Sequence, residues 1–310
     1  MSVVKLLSRI VAPDDVDDEG IADDKKYMKT MASKMHDHTY GITSDPLTQF
    51  ACVFSALIHD VDHLGVPNAQ LVKEGTGLAK KYKNKSVAEQ NSVDLAWNLL
   101  LEPQYKELRN AICATDSDWT RFRQLVVNSV MSTDIVDKEL KELRNARWEK
   151  AFKDREGHDR NPNLVAEEDL DTDRNRKATI VIEHLIQASD VAHTMQHWHI
   201  YRKWNERLFR ELYVAYRNGR AEKDPSEFWY AGEIGFFEFY IIPLAKKLKD
   251  CGVFGVSSDE YLNYATKNLE EWKRKGEDAI NEMIAAVKRD YGEEEDSPLP
   301  PSACEESGNK

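Results

Sequence analysis

His59, Asp60, Asp62 and His63 stand within the pentapeptide HDVDH, directly after the apolar run FACVFSALI at 50–58. Imidazole and carboxylate are the ligands of hard and borderline divalent cations. If the run is a helix, His59 and His63 share a face at i and i+4, and Asp60 can aim at the same ion as His59. A polar helix terminus, with histidine favoured by the macrodipole, is the plainer alternative. A further carboxylate, Asp190, lies in HLIQASDVAHTMQHW among Leu185, Ile186, Ala188 and Val191. A buried carboxylate needs a strong partner; an exposed acid or a simple salt bridge is the other reading. Together His59, Asp60 and Asp190 compose a candidate divalent-metal site.

Helices must carry these residues. Asp45-Pro46 is an N-cap followed by proline in the first turn. After it Leu47, Phe50, Ala51, Val53, Phe54, Leu57 and Ile58 recur at three- and four-residue spacing. The pattern predicts a helix ending near Leu64-Gly65, before Pro67. SVAEQNSVDLAWNLLL (86–101) predicts another, with Ser86 and Glu89 as a capping box. Further helices are predicted over 119–135, 137–152, 177–217, 233–248 (interrupted by Pro243) and 258–289. No alternating strand is found, so the fold class is all-α. MSVVKLLSRI reads as an amphipathic helix, with Lys5 and Arg9 inside its apolar patch. Residues 12–26 and 153–177 read as charged loops, 1–290 as one domain, and 291–310 as a disordered acidic tail.

Composition narrows the function. The 310 residues carry a net charge of −12 and only 14 Gly and 10 Pro. An acidic chain repels phosphate backbones, which argues against nucleic acid as a partner. An anionic substrate would need local positive charge, and a metal ion supplies it. The nine-residue apolar run is far short of the ~20 residues of a membrane span. Four cysteines (52, 113, 251 and 304) without a CxxC pattern fit a reducing, cytoplasmic compartment.

HDVDHLGVPNAQL (59–71) resembles the HDxxHxGxxN metal signature of the class I 3′,5′-cyclic-nucleotide phosphodiesterase catalytic domain, in the HD superfamily of metal phosphohydrolases. His59, Asp60, His63, Gly65 and Asn68 match it. Four more segments follow in that family's order: SVAEQNSVDLAWNLL with Glu89, VMSTDIVDK with Thr133 and Asp134, ASDVAHTMQHWHIYRKW with Asp190, and EIGFFEFYIIPLAKKL with Phe236. The resemblance implies two divalent ions, Zn²⁺ and Mg²⁺ (or Mn²⁺). His59, Asp60 and Asp190 would hold the tighter one. Asp60, with waters held by His63, Glu89 and Thr133, would hold the second. Asp60 and His63 would be the catalytic pair, and Glu233, Phe236 and His193 would contact the nucleotide. Core packing is the alternative for Phe236 and, more so, for Trp204. The implied activity is hydrolysis of cyclic AMP or cyclic GMP in signal transduction, in the cytosol or in the cytosolic domain of a larger protein.

The sequence departs from that family's pattern in four places. The upstream HNxxHA motif supplies a metal-ligand histidine and the histidine that protonates the leaving group. It would precede KLLSRI, and the 310 residues do not contain it. The chain is therefore expected to be N-terminally truncated and a poor hydrolase. His36 and His38 (MHDHTYG), predicted in the loop before Asp45, are candidate substitutes. Glu89-Gln90-Asn91-Ser92 stands where the family has Glu-Asn-His-His, and His193 stands for Asn. Glu233 stands for a base-reading Gln; an ionised carboxylate only accepts hydrogen bonds, so the choice between adenine and guanine stays open. A non-catalytic nucleotide-binding or interaction module of the same fold is the alternative that these departures leave.

Overall fold

The side chains at 180–188 are buried without exception, and a helix buried on every side must sit at the centre of its fold. In the computed structural model, which describes residues 2–10, 32–153, 167–255 and 259–291, that helix is α10 (Glu167–Asp190). Thr179, Ile180, Val181 and Ile182 are β-branched, a strand-like run that tertiary packing holds as helix. Around α10 pack α1 (Ser2–Leu7), α3 (Pro46–Ile58), α8 (Asp116–Met131) and α13 (Ile242–Asp250). A further short helix, α2, covers residues 32–38. No strand occurs among the described residues, and the all-α expectation holds.

On one side α3, α6 (Val87–Leu101) and α8 enclose an aromatic core. Phe122 is fully buried there, against Phe50 (ring centroids 5.8 Å), Phe54 (5.6 Å) and Trp97 (6.0 Å). On the other side α11 (Trp198–Arg217), α12 (Trp229–Phe236), α13 and α14 (Glu260–Asp290) bury Trp229, Phe237 and Trp272. Shorter helices complete the shell: α4 (Asn68–Lys73), α5 (Gly77–Lys81), α7 (Lys106–Ile112) and α9 (Lys138–Trp148).

Several predicted boundaries move, each for a physical reason. The helix expected to reach Leu64 ends at Ile58, and tight turns follow, with Asp62 at φ +62°. His59 and His63 therefore do not share a helix face. The helix expected over 177–217 breaks after Asp190, where a 3₁₀ turn (Ala192–Met195) intervenes. Buried Asn268 of α14 donates to the Thr194 (2.8 Å) and Gln196 (2.7 Å) carbonyls and fixes the break. Residues 167–177, expected as loop, are the start of α10. Pro243 does not interrupt its helix; a π-turn (Phe237–Ile241) widens the backbone ahead of it and absorbs the missing N–H. Ser86 makes no capping box: its φ is +37°, and no side-chain cap forms. The predicted loop over 12–26 and the tail from 292 onward lie outside the described residues.

Asn268 is a direct test of the break after Asp190. Asn268→Leu removes the donor from one buried and one partly buried carbonyl and is expected to cost about 1–3 kcal/mol, read as a lower urea midpoint. An unchanged midpoint would show that the break is set elsewhere.

Candidate metal centre

Asp45 starts the helix that delivers the site. Its carboxylate accepts from the Leu47 and Thr48 amides (3.2 and 3.3 Å) and pairs with Arg121. At the far end of α3 the His59 amide still bonds to Ser55. The His59 Nδ1–H donates to the Ala56 carbonyl (3.0 Å), which turns Nε2 outward. Nε2 lies 3.3 Å from Asp60 Oδ2 and 3.3 Å from Asp190 Oδ1, across 131 residues of sequence. The ligand atoms of the three residues all lie within 4.8 Å of one another.

The electrostatics follow from that convergence. Burial opposes a charged His59, but its hydrogen bonds to the Asp190 and Asp60 carboxylates outweigh it and push its pKa up to about 10. The Asp60 carboxyl is held low, chiefly by His59 and further by His63. A proton on Nε2 thus occupies the place a cation would take. The donor set fits a divalent ion: ligand atoms at about 2.0–2.2 Å from one ion stand at most ~4.4 Å apart, close to what is seen. Asp190 is 36% exposed and Asp60 65%, so Asp190 is more open than its apolar neighbours suggest.

The turn after α3 is pinned from α6. Asn91 Nδ2 donates to Asp62 (3.0 Å), and Ser92 Oγ to the Val61 carbonyl (2.8 Å). These are the positions at which the sequence departs from Glu-Asn-His-His; they tie down the HDVDH turn instead. Gly65 adopts φ +68°, a conformation that favours glycine, and its amide donates to His63 Nδ1 (3.3 Å). Asn68 then organises the far side. Its Nδ2 donates to Glu89 (2.9 Å) and Asp134 (3.5 Å), while its carbonyl oxygen caps α6 at the Ala88 amide (2.9 Å). Ser86 donates to Asp134 (2.6 Å). Burial raises the Glu89 carboxyl, with Asp134 adding to the effect and Asn68 and His63 opposing it. Thr133 Oγ1 donates to Val130 (2.7 Å). Its loop is clamped by Arg144 on Ser132 and Asp134 (2.7 Å each) and by Gln187 on Ser132 (2.8 Å). Sequence reasoning missed Asn91, Ser92, Asn268, Arg144 and Gln187 as positioning residues. No local pattern marks them, because each acts across the fold.

Of the three predicted nucleotide contacts, His193 lines a cavity at the metal centre. A cavity of about 560 Å³ is lined by Asp190, His193 and Trp204, with Lys5 and Arg9 from the N-terminal segment. Glu233 and Phe236 are not in that lining. Burial pulls His193 down to about 4 against the pull of Asp190, so it is neutral at physiological pH. Glu233 is buried and accepts from the Tyr201 hydroxyl (2.6 Å); burial raises its carboxyl to about 7 against bonds from Tyr201 and Asn205. Phe236 is half-buried and stacks on Tyr240 (5.4 Å, 22°). His36 lies away from the centre, 2.5 Å from Ser44 Oγ and 3.1 Å from Arg174. Both His36 and His38 lie in the 32–38 helix, not in a loop.

A family model described as 3′5′-cyclic nucleotide phosphodiesterase matches residues 26–253. The chain is 26% identical over 178 residues to a probable 3′,5′-cyclic-AMP phosphodiesterase, pde-4, of Caenorhabditis elegans, covering 57% of this chain and 24% of that protein. It is 25% identical over 214 residues to the dual specificity calcium/calmodulin-dependent 3′,5′-cyclic nucleotide phosphodiesterase 1C of Homo sapiens, covering 65% and 26%. The chain spans about a quarter of the length of these relatives. Among solved structures, the phosphodiesterase domain of Salpingoeca rosetta rhodopsin phosphodiesterase superposes with a TM-score of 0.59 at 21% identity, covering 83% of this chain and 77% of that one. It shares the fold.

Two measurements probe the charges described here. Because His59 holds a proton up to about pH 10 without metal, binding of Zn²⁺ at pH 8 is expected to release about one proton per ion. Calorimetry in buffers of different ionisation heat reads that number; zero would remove His59 Nε2 from the ligand set. Glu233 takes up a proton on folding, since its folded pKa of about 7 exceeds an unfolded value near 4.5. Its contribution opposes folding increasingly as pH rises from the unfolded to the folded value. Glu233→Gln is therefore expected to raise the melting temperature more at pH 8 than at pH 5. An equal effect at both pH values would contradict the burial described here.

Proposed function

The chain belongs to the 3′,5′-cyclic nucleotide phosphodiesterase family, and from that membership we propose that it hydrolyses 3′,5′-cyclic nucleotides, cyclic AMP or cyclic GMP, to 5′-nucleoside monophosphates in signal transduction. The observation that carries the reading is the convergence of His59, Asp60 and Asp190 on one point. Zn²⁺ is the ion we assign to that set, since one imidazole and two carboxylates suit it. Mg²⁺, or Mn²⁺, is assigned to Asp60 with waters held by His63, Glu89 and Thr133, an oxygen-rich set. When bound, these ions activate water and neutralise the phosphodiester charge.

The chain's own groups do the rest. The Ala56 carbonyl holds the His59 ring so that Nε2 faces both carboxylates. Asp60 is largely exposed and, with two carboxylate oxygens, can serve both ions. His63 accepts at Nδ1 from the Gly65 amide, which puts its ring proton on Nε2. There it can donate to a water or a phosphoryl oxygen. Asn68 fixes Glu89 and Asp134 together, so the carboxylate that orders the water shell cannot swing away. For the nucleoside we assign His193 to the cavity wall beside Asp190, Phe236 to stacking and Glu233 to the base edge. No helix among the described residues is long and apolar enough to cross a membrane. Cys52, Cys113 and Cys251 are free thiols, in keeping with the cytosolic placement proposed here.

The test is a hydrolysis assay with cyclic AMP and cyclic GMP in Zn²⁺ and Mg²⁺. Asp60→Ala is expected to lose bound zinc and at least ~10²-fold of the rate, the scale of losing a catalytic electrostatic group. Hydrolysis by the parent that survives Asp60→Ala unchanged would overturn the assignment, as would a zinc content unchanged in Asp60→Ala. Phe236→Ala is expected to weaken cyclic-nucleotide binding by roughly ten-fold or more, from lost stacking of ~1–3 kcal/mol. Unchanged competition by cyclic nucleotides would place the base elsewhere.

A further inference from the structure

Between α9 and α13, with its floor on α10, lies a cavity of about 130 Å³ that none of His59, Asp60, His63, Glu89, Thr133 and Asp190 lines. Lys141, Arg144 and Lys247 line it, and no carboxylate does. In a chain of net charge −12 such a concentration of positive charge is unusual. Among the described residues the nearest acids lie outside the lining: Glu183 pairs with Arg147 (2.9 Å), and with Asp134 and Asp137 it acts on Arg144 from beyond the cavity wall. Lys141 is exposed and has no ion pair among the described residues. Lys247 is aimed by Asn145 (2.8 Å) and lies over the Trp148 ring (5.4 Å). Arg144 is fixed by the carbonyls it clamps.

The remaining wall is apolar. Ile135, Tyr240, Pro243 and Leu244 line it, together with Phe239, which is 74% exposed. A phenylalanine that open has no role in core packing. Buried His184 lies between the cations and the core, its Nδ1–H on the Ile180 carbonyl (2.6 Å). Burial first, and then Lys247, Arg144 and Arg147, push it down to about 3, so the positive field converges here.

We propose that this cavity binds a phosphomonoester carried on an apolar group, with its oxygens on Lys141, Arg144 and Lys247 and the apolar group on Phe239. Three converging cations match a dianion with three free oxygens better than a single carboxylate. The chemistry is shared by a soluble aryl or alkyl phosphate and by the headgroup of phosphatidic acid, and the test separates them.

The full chain is titrated calorimetrically with phenyl phosphate at low and high salt. It is also floated with phosphatidylcholine vesicles with and without phosphatidic acid. Lys141→Glu and Lys247→Gln are each expected to weaken the response by roughly ten-fold or more, the scale of a charged hydrogen bond, and high salt is expected to weaken it further. Asp60→Ala, which disables the metal centre, is expected to leave it unchanged. Binding of phenyl phosphate without flotation identifies a soluble ligand. Flotation that needs both phosphatidic acid and Lys141 identifies a lipid headgroup. Either result upholds the site, whatever the outcome for cyclic-nucleotide hydrolysis. Absence of both responses overturns it, as does phenyl phosphate binding that Asp60→Ala abolishes and the lysine variants do not.

Discussion

Two carboxylates held against one imidazole are the constraint on which the rest of the structure depends. Asp60 and Asp190 both stand 3.3 Å from His59 Nε2. Like charges at about 4 Å repel by roughly 4 kcal/mol at an effective dielectric of 20. The arrangement holds only with positive charge between them, a proton on His59 or a cation in its place. The fold has to bring Asp190 to that point from the end of α10, while α3 delivers His59 and Asp60. Both helices end at the site, and both endings are enforced from outside. Asn91 and Ser92 secure the turn after α3, and Asn268 secures the break after α10.

A second layer of polar contacts converts that convergence into a shaped site. Asn68 joins α6, Glu89 and Asp134 through one amide group. Arg144 and Gln187 hold the loop that carries Thr133. Removing a single member leaves buried donors or acceptors unmatched, so the network resists piecemeal change. The aromatic core of α3, α6 and α8 lies directly behind this layer and gives it a rigid backing.

Local pattern carried much of this account. The Asp45-Pro46 start, the three- and four-residue spacing of α3 and the absence of alternation all point to helices, and HDVDH with Asp190 points to one cluster. What local pattern could not carry is where each helix stops. Asp62 at positive φ ends the periodic reading of α3, and only its partner on α6 explains why. Ser86 and Glu89 have the spacing of a capping box, yet each finds a stronger partner across the fold, Asp134 and Asn68. The β-branched run in α10 has strand character that burial overrides. Asn91 and Ser92 looked like lost histidines; they are ties, a role visible only once α6 lies beside the turn.

The most direct test of the central claim is anomalous diffraction at the zinc edge from crystals of the protein grown with Zn²⁺. A single strong peak about 2.0–2.2 Å from His59 Nε2 and from one oxygen each of Asp60 and Asp190 is the predicted result. A peak ligated by other residues, or no peak while His59 remains bonded to both carboxylates, would contradict the account.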